Sequence, residues 1–134
     1  MIRNIWSIMC KDILTDQETN AVSYIQSLEE GMASVLPITI SPVSIGTFWE
    51  KDSDKEEIFS VRIIFVYPSG VAKQLLQTKD LVFSRPRQRL HFKMEGLNVT
   101  EFGRYEVRID FMQNEQWYIA CRLPLMIRKA IASS

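Results

Sequence analysis

The sequence holds a single histidine, His91, and only two cysteines, Cys10 and Cys121, near opposite ends of the chain. A zinc site takes about four nitrogen, sulfur or carboxylate ligands, so this supply offers no metal spacing. A Ser-His-Asp or Cys-His unit would need His91 beside a nucleophile and a third orienting group, and nothing in the spacing brings such a set together. A hydrolase is therefore the remotest functional reading. The glycines are few, five in all, and form no phosphate-cradling cluster. Charge of one sign is also lacking, with sixteen basic residues against sixteen acidic ones. That balance disfavours a generally basic nucleic-acid binder and an anionic-membrane binder. No long apolar run exists. The N-terminal one is interrupted by Lys11 and Asp12, well short of the roughly 20 residues of a membrane span. No small-residue cleavage site follows it. These absences lead to the expectation of a cytoplasmic protein without cofactors, its two thiols reduced and buried.

What is present is two-residue alternation. At 134 residues, 46% of them hydrophobic, the chain has the size of one domain spanning 1–134 with a real core. Phe59, Val61, Ile63, Phe65 and Tyr67 share one face of a strand, as do Val43, Ile45, Thr47 and Trp49 of another. Leu90, Phe92 and Met94 alternate with Arg89, His91, Lys93 and Glu95. Further strands are expected over 3–10, 38–40, 71–77, 81–83 and 117–127. Segment 21–30 fits either a strand or a short helix and reads better as a strand ended by Gly31. Segment 11–20 reads as a turn. Pro42 must break or bulge its strand or place it at an edge, and Pro124 bends its strand or marks an edge, since proline cannot donate to a ladder. About eight or nine antiparallel strands with turns between them predict an all-β sandwich.

The most specific stretch is Glu101-Phe-Gly-Arg-Tyr105, followed by Val107, Ile109 and Phe111 on one face and Glu106, Arg108 and Asp110 on the other. It resembles the start of strand F in immunoglobulin-like sandwiches, where a tyrosine hydroxyl bonds back to the backbone. The resemblance implies that Gly103 and Tyr105 form such a corner, with the hydroxyl bonded to backbone between residues 97 and 102. Trp6, Cys10, Asp16, Thr19-Asn20, Ser23, Pro37 and Gly103-x-Tyr105 taken together resemble a family of small bacterial β-sandwich proteins of unknown function. That resemblance runs over nearly the whole chain. It implies a bacterial, cytoplasmic β-sandwich and carries no activity with it.

Three features remain as candidate sites. Arg85, Arg87 and Arg89 form the one basic cluster. Planar guanidinium forks suit an anionic partner, and charge at a sheet edge also deters unwanted pairing. Asp52, Asp54, Glu56 and Glu57 put carboxylates on one loop, where calcium finds oxygen ligands; a solvated hairpin loop is the plainer reading. Trp6, Phe48, Trp49, Trp117 and Tyr118 would stack on sugar rings if they formed an exposed coplanar row, and would otherwise pack the core. The expected function is a non-enzymatic interaction module that binds a protein partner or itself through sheet edges, with no nucleic acid and no membrane as partner. The alternative is a carbohydrate- or small-ligand-binding sandwich.

Overall fold

The computed structural model describes residues 1–130. These form twelve strands: β1 (Ile2–Thr15), β2 (Val22–Ser27), β3 (Glu30–Ala33), β4 (Ile38–Ile40), β5 (Val43–Lys51), β6 (Glu57–Val66), β7 (Ala72–Gln77), β8 (Leu81–Phe83), β9 (Arg87–Met94), β10 (Leu97–Val99), β11 (Gly103–Gln113) and β12 (Gln116–Lys129). Among the described residues there is no helix, and so none long and apolar enough to cross a membrane. One sheet has the order β2-β1-β5-β9, the other β3-β12-β11-β6-β7. Strand β8 adds to β6, and β10 pairs with β4.

The alternation read from the sequence dictates how the two sheets meet. Ile45 and Trp49 of β5 point inward from the first sheet; Phe59, Val61, Ile63, Val107, Ile109 and Phe111 point inward from β6 and β11 of the second. Trp49 meets Phe59 and Phe111 edge-on, with ring centroids 5.7 and 5.6 Å apart. Because successive side chains alternate faces, each strand gives its apolar set to this shared core.

Several expectations need correction. There are twelve strands rather than eight or nine: β4 and β8 fall on the expected 38–40 and 81–83, while β3 and β10, four and three residues long, are additional. The architecture is not purely antiparallel, since β3 pairs in parallel with β12. The chain leaves the first sheet at Leu28, whose amide bonds Met9, and joins the second at Glu29, whose carbonyl accepts from Met126. Gly31 thus lies inside β3 instead of ending a strand. Segment 21–30 holds the strand β2, and β1 runs on to Thr15 through what reads as a turn. Pro42 breaks the run between β4, which pairs only with β10, and β5, which is interior and flanked by β1 and β9. Asp110 belongs to the polar face of β11 yet is buried, because Arg62 and Arg108 close over it at 2.9 and 3.0 Å.

Candidate interaction edge

Two open-sided sheets leave several strand edges unpaired, and the structure blunts nearly all of them. An extra residue interrupts the register at Ile5 in β1, at Ala120 in β12 and at Leu75 in β7. Such bulges twist an edge and spoil it as a template for further pairing. Pro124 lies on the stretch of β12 before Met126, where β3 does not reach. Strand β2 contains Gln26 at a φ of 55°, and β3 has only four residues.

Strand β9 is different. Its eight residues pair with β5 from Arg87 opposite Glu50 to Met94 opposite Val43 without a shift, and among the described residues its other side pairs with no strand. The Lys51 amide bonds the Pro86 carbonyl at 3.0 Å. In an antiparallel ladder every second pair is hydrogen-bonded, so Gln88, Leu90, Phe92 and Met94 direct their backbone groups at β5. Arg87, Arg89, His91 and Lys93 direct theirs to the open side. The same alternation separates the side chains. Gln88, Leu90, Phe92 and Met94 are half-buried, while Arg87, Arg89, His91 and Lys93 are exposed on the outer face.

The basic cluster therefore belongs to this edge. Arg85 is exposed in the loop before β9, and Arg87 and Arg89 are on the strand itself. None of the three forms an ion pair among the described residues. Glu50, opposite Arg87, is engaged by Arg3 at 3.4 Å, and Lys93 lies 3.9 Å from Asp12. Beside the end of β9 opens a cleft of about 280 Å³ lined by Leu75, Leu76, Lys93 and Met94 among others.

The outer face next to β9 is aromatic, and sequence reasoning missed how it is organised. Strand β2 pairs only with Cys10–Thr15 of β1, while β5 pairs with Ile2–Cys10. The β1–β2 hairpin curls over the outer face, so that Tyr24 meets Trp6, Gly46 and His91. A Cβ on Gly46 would stand 2.3 Å from the Tyr24 ring. The ring centroids of Trp6 and Tyr24 are 5.2 Å apart and those of Tyr24 and His91 5.7 Å apart, both pairs edge-on. The Tyr24 hydroxyl and His91 Nε2 are hydrogen-bonded at 3.2 Å. Burial, and then the Arg89 charge, hold the His91 pKa below its ordinary value, which favours the neutral ring. The Arg89 guanidinium stacks over Phe48 at 5.5 Å. A glycine inside a strand was the sequence signal for this close approach. Gly46→Ala should displace Tyr24 and cost about 1–2 kcal/mol of overpacking, measured by urea unfolding. In a Tyr24→Ala background the same change should cost much less, because the ring it strikes is gone.

The other candidates have other fates. Trp49 is fully buried, Trp117 lies under the Arg62 guanidinium at 4.1 Å, and Tyr118 stacks on Phe111. No coplanar exposed row of aromatics results: Trp6 and Phe48 are tilted by 31° and Tyr24 stands edge-on to Trp6. In the 52–57 loop Asp52 bonds the Met1 amino group and Glu57 accepts from Gln113 at 2.8 Å. Among the described residues no three His, Cys, Asp or Glu side chains converge on a common point. Both cysteines are free; Cys10 is fully buried, and that burial raises its thiol pKa. Gly103 adopts a φ of 132°, with Pro68 3.1 Å from where a Cβ would stand. The buried Tyr105 hydroxyl accepts from the amides of Thr100 and Glu101 and donates to the Glu101 carbonyl at 2.7 Å.

No family model matches the chain, and no curated protein matches its sequence. Among solved structures it is similar to an alkylpurine DNA glycosylase of Pseudomonas fluorescens bound to DNA containing an abasic site analog. The identity is 10% and the TM-score 0.53, over 91% of this chain and 30% of the glycosylase. It is also similar to a β-glucosidase from Listeria innocua in complex with gluconolactone, at 11% identity and a TM-score of 0.44, over 78% of this chain and 17% of that one. The chain thus spans less than a third of either relative. The first likeness is one of fold, and the second carries no argument.

Proposed function

We propose that the protein is a non-enzymatic, immunoglobulin-like interaction module that binds a protein partner by strand addition at β9. The reading rests on one observation: β9 is a regular eight-residue strand whose outer amides and carbonyls pair with no strand among the described residues, while the β1, β7 and β12 edges carry bulges. An open edge of this kind offers main-chain hydrogen bonds to an extended partner segment. The Tyr105 corner supports the immunoglobulin-like assignment, and two free thiols suit a reducing, cytoplasmic setting. A second copy is the poorer partner. Antiparallel pairing of two β9 edges about a two-fold axis would set Arg87 against Lys93 at each end of the pair, on one face. Like charges placed opposite each other destabilise a strand pair.

The test uses a displayed library of extended peptides selected on the intact protein. His91→Pro removes an open-side amide and leaves the β5 ladder intact, since proline is tolerated where the N–H faces solvent. His91→Ala controls for the loss of the imidazole. Selected peptides should bind the alanine variant and lose the proline variant. Equal binding to both would sink strand addition at β9.

A further inference from the structure

We infer that the partner segment alternates acidic and apolar residues. The inference rests on the strand-addition reading and names the chemistry of what adds. A strand laid against the open side of β9 continues the first sheet, so its side chains alternate between the same two faces whichever way it runs. On the outer face they lie beside Arg87, Arg89 and Lys93, and beside His91, which burial keeps neutral and which holds Tyr24. On the inner face they lie beside Leu90, Phe92 and Met94, which are half-buried at the rim of the core, and they can enter the cleft beside Leu75 and Leu76.

Charge complementarity selects the occupant. Arg87 and Arg89 form no ion pair among the described residues, and Lys93 has only Asp12 at 3.9 Å. A directly opposed residue in an antiparallel pair has its Cβ about 4.5–5.5 Å away, so carboxylates two positions apart meet successive guanidinium groups. Opposite His91 an uncharged residue serves equally well. The cations that discourage a second copy are therefore those that favour an acidic strand, and the half-exposed apolar rim of β9 favours apolar residues between the acids.

The experiment measures fluorescence anisotropy of labelled synthetic peptides on the intact protein. The probes are an octapeptide alternating glutamate and valine, its isomer with all glutamates first, an octapeptide alternating lysine and valine, and a single-stranded oligodeoxynucleotide of similar charge. The alternating glutamate peptide should bind about tenfold more tightly than each of the others. Its affinity should fall as salt is raised. Arg87→Glu with Arg89→Glu should reverse the ranking of the glutamate and lysine peptides. If that variant does not fold, Arg87→Gln with Arg89→Gln should abolish the preference. Peptides that bind equally whatever their charge, yet are lost in His91→Pro, would leave strand addition standing and overturn the acidic class. Binding that survives His91→Pro would overturn strand addition itself. Tighter binding of the oligodeoxynucleotide would make the arginines and Phe48 a nucleic-acid platform instead. A dimer that His91→Pro dissociates would identify a second copy as the occupant. No binding by any peptide would overturn both inferences.

Discussion

Trp49→Ala is expected to lower the unfolding free energy by about 3–5 kcal/mol, the range for removing a large buried aromatic side chain. Trp49 is fully buried in β5 and reaches across the core to Phe59 and Phe111 of the opposite sheet. Truncation therefore removes contacts between the two sheets and leaves a cavity that neither rigid sheet can close. A polar loss adds to it. The indole Nε1 donates to Thr47 Oγ1 at 2.6 Å, and that hydroxyl donates to the Leu90 carbonyl of β9 at 2.9 Å. The ring thus helps hold the edge strand in register from within. Urea unfolding followed by tryptophan fluorescence and circular dichroism measures the change. A cost below about 1 kcal/mol, typical of a surface position, would mean that the ring does not bridge the sheets.

Tyr105→Phe is expected to cost about 1–3 kcal/mol, because two amide donors and one carbonyl lose a shared partner inside the protein. The phenyl ring itself stays, stacked on Phe65 at 5.0 Å and near Tyr67 at 5.3 Å, so packing contributes little to the difference. Tyr67→Phe provides the comparison. Its exposed hydroxyl makes one long bond, 3.3 Å to the Asn98 carbonyl, and its loss should stay within about 0.5 kcal/mol. Equal costs for the two tyrosines would show that the corner hydroxyl has no special role.

How much of this was legible in the sequence depended on length and on pairing. The long alternations in β6, β9 and β11 were readable because each covers four or more periods of a fixed geometry. Tyr105 and Gly103 were readable because one local turn uses both. Of the short strands, β4 and β8 were readable from their apolar residues at 38–40 and 81–83, while β3 and β10 were not, because they exist through pairing with the distant strands β12 and β4. The face of Asp110 was legible but its burial was not: that burial depends on Arg62, 48 positions earlier in the chain, and no local pattern announces such a partner. The arginines at 85, 87 and 89 were singled out, but their setting was hidden. Whether an edge is open is decided by what every other strand does, and the bulges at Ile5, Leu75 and Ala120 arise only from register between distant segments. Gly46 was visible as a glycine in a strand, while Tyr24, the ring that needs the space, lies on a hairpin that folds over from elsewhere.

The most direct measurement is hydrogen exchange, read by NMR at single amides of β9 with and without the alternating glutamate–valine peptide. In the free protein the amides of Gln88, Leu90 and Phe92 should exchange slowly, and those of Arg87, Arg89, His91 and Lys93 quickly. Bound peptide should slow these four and leave the rest of the sheet unchanged. Four amides already protected in the free protein, or still fast at saturating peptide, would contradict a partner strand at this edge.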